Sequence, residues 1–230
     1  MQTNGTQPAS FNVITVEREF GAGGTAIATR LAQRLGWELL DRALTTEIAK
    51  LAEVDEKAVS RCDECVDPLM YRLAKVFWRG SYERSMPVPD RAFDTDAMVR
   101  LASEVIRKAA SRGKCVIVGR GSPYILRECP DAFKVFLFAP RDFKLRYLME
   151  NERKSEKEAA ELVDTIDQER AGFVRRYFGK EWPHRYLYHA MLNTAVGVET
   201  CVDVILQTMK VLETQGAATQ VLTGICETVK

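Results

Sequence analysis

Apolar positions along the chain switch between short unbroken runs and a helical period. Residues 11–16, FNVITV, form a nearly continuous apolar run, the pattern of a buried strand. Four residues, EREF, and a glycine-rich turn, GAGG at 21–24, follow it. From 25 to 35 the spacing of Ile27, Ala28, Leu31, Ala32 and Leu35 is helical, and Gly36 ends the helix. WELL at 37–40 is a short strand candidate, and 42–53 and 55–78 look helical, with Asp55 or Asp67-Pro68 as starts. Gly80, Pro87 and Pro89 make 79–89 a loop, with Arg79, Arg84 and Arg91 around it. A helix pattern runs over 94–111 and closes at Gly113. CVIV at 115–118 and FKVFLF at 133–138 are apolar runs bounded by Gly and Pro, as buried parallel strands are. Beyond Pro140 come charged helices at 141–153 and 155–178, the second opened by a Ser155/Glu158 capping box. A strand candidate at 188–192 and a helix at 198–213 complete the pattern, and 214–230 has weak periodicity.

Strands alternating with helices predict an α/β fold on a parallel sheet with right-handed crossovers. The expected organisation is a flexible N-terminus over 1–11, one domain over 12–213 and a C-terminal tail over 214–230. Within the domain, a helical insertion occupies about 42–112 and a helical flap 141–185.

Composition narrows the partners. The chain has 230 residues, 33 Lys+Arg against 32 Asp+Glu, and a formal net charge of +1. No global basic field draws nucleic acid or an anionic membrane, so an anion site has to be a local concentration of positive charge. No apolar stretch is long enough to span a bilayer, and MQTNGTQPAS lacks the charged and apolar regions of a signal peptide. The expectation is a soluble cytoplasmic protein. Cys62 and Cys65 have CxxC spacing but no second pair, and His184 and His189 lie far away in sequence. Reduced thiols on one helix fit better than a four-ligand zinc site.

The strongest local signal is VITVEREFGAGGTAIATRLAQRLG, a strand, a glycine loop and a helix N-terminus. Backbone N–H groups converge there and the helix dipole adds positive charge, which suits a phosphate. Two motifs compete. Gly21-x-Gly23-x-x-Ala26 fits a dinucleotide fingerprint, with Asp41 20 residues beyond Gly21 as the ribose acid. Against it, the polar residues 17–20 separate strand and glycine. Alternatively, Thr25 takes the hydroxyl position of GxxxxGK[ST], which puts Gly23 on the second glycine, Arg18 on the first and Gly24 on the lysine. A plain strand–turn–helix is the third possibility.

Downstream, residues 170–185 hold five Lys/Arg and one acid, Glu181. Arg170 and Arg175, with Arg176 beside them, form a cationic patch near one helix face. It serves phosphate recognition, or is a solvated face with i,i+4 pairs, or contacts nucleic acid through the interleaved Phe173, Tyr177, Phe178, Trp182 and Tyr186.

Five segments in order resemble the cytidylate kinase-like family, a branch of the P-loop nucleoside monophosphate kinases: ITVEREFGAGGTAIATRLAQRLG, ELLDRAL, VIVGRG with YIL, DQERAGFVRRYFG and LYHAMLNT. The resemblance spans about residues 12–212. It implies a three-layer P-loop kinase fold with a five-stranded parallel sheet, a helical monophosphate-binding insertion and an arginine-bearing lid at about 155–185. It also implies phosphoryl transfer from ATP with Mg²⁺ to a nucleoside monophosphate of the CMP/dCMP kind or a similar small acceptor. The partners are then small-molecule nucleotides, and a homo-oligomer is compatible with that.

By match to the family, Gly21, Ala22, Gly23, Gly24 and Thr25 hold the donor phosphates, and Thr25 holds Mg²⁺. Arg18 is the candidate substitute for the missing lysine. Asp41, Arg42 and Arg120 meet the acceptor; Arg170, Arg175 and Arg176 belong to the lid, with Asp167 orienting them. The family pattern has an aspartate after the arginine at 120, and this chain has Gly121. Each assignment has a plainer rival: Asp41 caps a helix, Arg120 pairs with a surface acid, Asp167 belongs to its helix's charge pattern. A nucleotide sensor that lost turnover is the alternative to an enzyme, and an NAD-dependent oxidoreductase a third option.

Overall fold

The computed structural model describes residues 10–41 and 95–215. The helices expected at 42–53 and 55–78, the arginine-flanked loop, Arg42, the Cys62/Cys65 pair and the tail beyond 215 lie outside the described residues.

Five strands form one parallel sheet: β1 (Val13–Arg18), β2 (Glu38–Leu40), β3 (Cys115–Val118), β4 (Ala132–Phe138) and β5 (Ala190–Asn193). Their order is β2-β3-β1-β4-β5, so β1 is central, paired with Val118 of β3 through Val16 and with Leu137 of β4 through Arg18. Among the described residues six α-helices accompany them: α1 (Gly24–Leu35), α2 (Thr95–Arg112), α3 (Ser122–Ile125), α4 (Arg141–Glu152), α5 (Glu156–Phe178) and α6 (Val198–Thr214).

The period of two along the buried strands splits the core into two faces. Ile14, Val16, Val116, Val118, Phe133, Val135 and Leu137 pack against Ile27, Ala28 and Leu31 of α1 and Val202, Ile205 and Met209 of α6. Val13, Ile117 and Phe136 face Val105, Ile106 and Ala109 of α2, Tyr124 of α3, and Phe173 and Val174 of α5. A smaller cluster joins Phe20 in the glycine loop to Leu148 of α4 and Ala159, Val163 and Ile166 of α5. The flap helices are therefore seated on the domain by their apolar faces. Ser155 Oγ accepts the Glu158 N–H while the Glu158 carboxylate accepts the Ser155 N–H, so the expected capping box is formed.

Two boundaries differ from expectation. β1 continues through Glu17 and Arg18, which are buried although charged, because their backbones pair with β4 and their side chains meet one another. β5 begins at Ala190, later than the pattern placed it, since Arg185–Leu187 forms a 3-10 turn whose Leu187 enters the core.

Candidate functional site

All five strands end on the same side, and Asp41 just after β2 meets the loops leaving β1 and β3 there. The loop between β1 and α1 is Glu19-Phe20-Gly21-Ala22-Gly23. Gly21 and Gly23 have φ of 75° and 68°, a left-handed backbone that suits glycine. The Ala22 N–H turns back to the Glu19 carbonyl at 3.3 Å. Gly23 caps α1, so the Gly24 and Thr25 amides stand in the first turn without an intrahelical acceptor, as helix geometry requires. These amides, the dipole behind them and the half-buried Thr25 hydroxyl make a cradle for an anion and an oxygen donor of the kind Mg²⁺ takes.

Sheet order and α1 packing argue against the dinucleotide alternative. In a dinucleotide fold β2 lies beside β1, whereas here β3 separates them. The fingerprint's third small residue has to pack helix on strand, and Ala26 is exposed.

Arg18 leaves the last position of β1 and crosses Gly24. A Cβ on Gly24 would meet Arg18 Cγ at 2.8 Å and Cβ at 3.1 Å. A Cβ on Gly119, just after β3, would overlap Arg18 Nη1. The guanidinium is thus held between the glycine loop and the β3 loop. Burial lowers its pKa to about 10, with help from Arg170 and against Glu17, Asp41 and Asp167, so it stays cationic at neutral pH. Glu17 beside it, 3.6 Å from Nη1, has its carboxyl pushed up by burial, a shift that Arg18 and Arg170 oppose.

The β3 loop has three consecutive left-handed residues, Gly119, Arg120 and Gly121, with φ of 66°, 58° and 67°. A non-glycine in this region stores strain of order 1 kcal/mol or more, a feature that clusters at functional sites. Arg120 is buried, and its Nη2 donates to the Asp41 carbonyl at 3.5 Å. Burial lowers its pKa to about 10, while Asp41 raises it. Asp41, itself buried at the end of β2, therefore faces both Arg18 and Arg120. Gly121 has its own reason for lacking a side chain: a Cβ there would meet Phe178 of α5 at 2.7 Å. The aspartate of the family pattern has no room.

On α5 the arginines divide. Arg170 Nη1 donates to the Arg18 carbonyl at 2.9 Å and to Asp167 Oδ1 at 3.2 Å. Asp167 Oδ1 also accepts the Phe20 N–H at 2.8 Å, so both residues reach the glycine loop. Burial raises the Asp167 pKa, opposed by Arg170, the Phe20 N–H and Lys144. Arg175 and Arg176 are exposed on the far side of the helix, Arg176 over the Tyr177 ring at 5.9 Å. The shared face expected for Arg170 and Arg175 does not form, because five residues turn an α-helix through about 500°, roughly 140° off register. Phe173, Tyr177, Phe178 and Trp182 pack into or onto the core, and Tyr186 alone of that set is strongly exposed. The aromatics serve the fold and do not form a base-stacking platform.

Sequence reasoning missed three contributors. Lys144 of α4 lies under the loop, with Nζ 3.0 Å from Glu19 Oε2 and 3.5 Å from Asp167 Oδ2. Glu19 Oε2 also accepts the Ala139 N–H at 3.4 Å, tying the loop to the β4–α4 connection. Gly119 admits the Arg18 head. Glu19 stood inside the motif and was visible there; a lysine on a charged helix carries no signal of what lies above it.

The sequence profile of the cytidylate kinase-like family matches residues 13–196. Among solved structures, an uncharacterized protein from Eubacterium ventriosum ATCC 27560 superposes with a TM-score of 0.63 at 26% identity, over 86% of this chain and 98% of that one. A gluconokinase from Sinorhizobium meliloti 1021 superposes with a TM-score of 0.51 at 14% identity, over 91% of this chain and 95% of that one, a likeness of fold. The curated proteins include no match to the chain. No helix among the described residues is long and apolar enough to cross a membrane.

Proposed function

The chain belongs to the cytidylate kinase-like family and has the five-stranded parallel fold of the P-loop kinases; from that premise we propose that it transfers the γ-phosphoryl group of ATP to a nucleoside monophosphate, of the CMP/dCMP kind, or to a similar small acceptor. The observation that carries this reading is the buried Arg18 guanidinium between the glycine loop and the Arg120 loop. A cation fixed there lies between a donor cradle and an acceptor site. Phosphoryl transfer asks mainly for that: positioning, and positive charge where negative charge develops.

In this scheme the amides of Gly21 to Thr25 hold the donor phosphates and Arg18 neutralises them. The Thr25 hydroxyl would hold Mg²⁺, which when bound supplies charge neutralisation across the donor phosphates. Arg120 and Asp41, with Arg42, take the acceptor. Arg170 comes from α5, kept at the loop by Asp167, and the exposed Arg175 and Arg176 supply further positive charge at the lid. An anionic phosphate acceptor needs no general base.

The second reading is a nucleotide sensor without turnover, favoured by Gly24 at the lysine position. ADP release from ATP and Mg²⁺ against CMP, dCMP, UMP, AMP and GMP separates the two. Turnover with one acceptor well above the rate with ATP alone supports the kinase and names its base. ATP binding with no turnover for any acceptor supports the sensor and removes the CMP/dCMP assignment.

A further inference from the structure

We propose that the cation of this P-loop has been transposed: Arg18 at the loop's first position stands in the place of the lysine normally carried at the position of Gly24, and Gly24 is glycine because the Arg18 stem lies against it. This rests on the phosphoryl-transfer reading and adds how the site came to work without its lysine.

Three observations converge. First, Gly24 opens α1 with no left-handed backbone, unlike Gly21 and Gly23, so its φ does not ask for glycine. What asks for it is the Arg18 stem, whose Cγ, Cβ and Cδ would lie 2.8, 3.1 and 3.4 Å from a Cβ at that position. Those atoms are the root of a buried side chain and have little freedom to yield. A lysine on α1 and an arginine on β1 therefore exclude each other. Second, the arginine's head occupies the side-chain volume at Gly119, a position whose left-handed φ of 66° already favours glycine, so both ends of the side chain rest on glycines. Third, the two positions are reciprocal in the motif. GxxxxGK[ST] wants glycine first and lysine seventh, and this chain has Arg18 first and Gly24 seventh. Exchanging glycine for Arg18 and lysine for Gly24 turns REFGAGGT into GEFGAGKT, a complete motif. Entering from the strand, the cation is a planar guanidinium with forked donors, suited to two phosphate oxygens at once, where an ammonium is a point charge.

The test uses the full chain as wild type, Arg18→Gly, Gly24→Lys and Arg18→Gly/Gly24→Lys. MgATP affinity is read by calorimetry without acceptor, and stability by thermal unfolding. Each single variant is expected to lose MgATP affinity by about tenfold or more. The double variant is expected to return to within a few-fold of wild type, and its melting temperature to exceed that of Gly24→Lys. If the lysine variants do not fold, Gly24→Ala in the Arg18 and Arg18→Ala backgrounds gives the same steric cycle, with alanine less harmful once the arginine is cut back. A folded double variant binding no better than Arg18→Gly, or a stability cycle that is simply additive, overturns the transposition and leaves the kinase reading standing. Absence of MgATP binding by the wild-type chain overturns the kinase reading itself, and the transposition with it.

Discussion

Asp167, midway along α5, accepts the backbone N–H of Phe20 at 2.8 Å across 147 residues of sequence. With Arg170 on the Arg18 carbonyl and Lys144 bridging Glu19 and Asp167, this bond makes α5 and the glycine loop one unit. Asp167→Ala leaves the Phe20 amide without its acceptor and strips Lys144 and Arg170 of a carboxylate. The expected outcome is a stability loss of roughly 1–3 kcal/mol, faster hydrogen exchange at Phe20 and weaker MgATP binding. Exchange mass spectrometry of the loop peptide checks it. An unchanged Phe20 exchange rate would show that the loop does not depend on α5.

Gly121 and Phe178 occupy one volume between them. Gly121→Ala forces a Cβ to within 2.7 Å of the Phe178 ring at a φ of 67°. Strain and overpacking together are expected to cost roughly 2–4 kcal/mol, read by urea unfolding. In a Phe178→Leu background the additional cost of Gly121→Ala should shrink, because the overpacking part is relieved. Equal costs in the two backgrounds would remove Phe178 as the reason for the glycine.

Arg120→Met tests the acceptor side. If Arg120 meets the acceptor phosphate, the KM for the acceptor rises about 10–100-fold, the worth of a charge-assisted hydrogen bond, while MgATP affinity changes little. Steady-state kinetics at saturating ATP with varied acceptor give the number. A loss confined to MgATP affinity would move Arg120 to the donor site.

His189 sets a pH dependence. Its Nδ1 accepts the Lys134 N–H at 2.9 Å, and burial lowers its pKa from 6.5 to about 4, with Lys134 adding to the shift. Between those values the unfolded chain binds a proton that the folded chain refuses, so stability is full above pH 6.5 and falls toward pH 4. The loss amounts to at most about 3 kcal/mol at the acid end. Unfolding free energies of wild type and His189→Asn across this window are expected to converge as pH falls. A constant gap would contradict the assignment.

Much of this protein was fixed by its sequence through local rules. The apolar runs at 115–118 and 133–138 are strands, the helical spacing over 25–35 is α1, and Ser155 with Glu158 caps α5. Short apolar runs cannot stay in solvent and a 3.6-residue period makes one helix face, so neighbours along the chain suffice for these assignments. Glycines at 21 and 23 likewise announced a tight turn between strand and helix.

Tertiary structure alone decided the rest, because it depends on what lies across space. Glu17 and Arg18 read as part of a polar insert between strand and glycine turn, yet they end the central strand, since β4 offers partners for their backbones. Lys134 sits fully buried in β4 because its ammonium finds the Cys129 and Ala132 carbonyls, each at 3.2 Å. Arg170 turns inward and Arg175 outward by helix geometry acting on a seat that only the fold provides. Why position 24 is glycine is the sharpest case. Nothing in its own backbone demands it; a side chain six residues earlier, folded back over the start of α1, does.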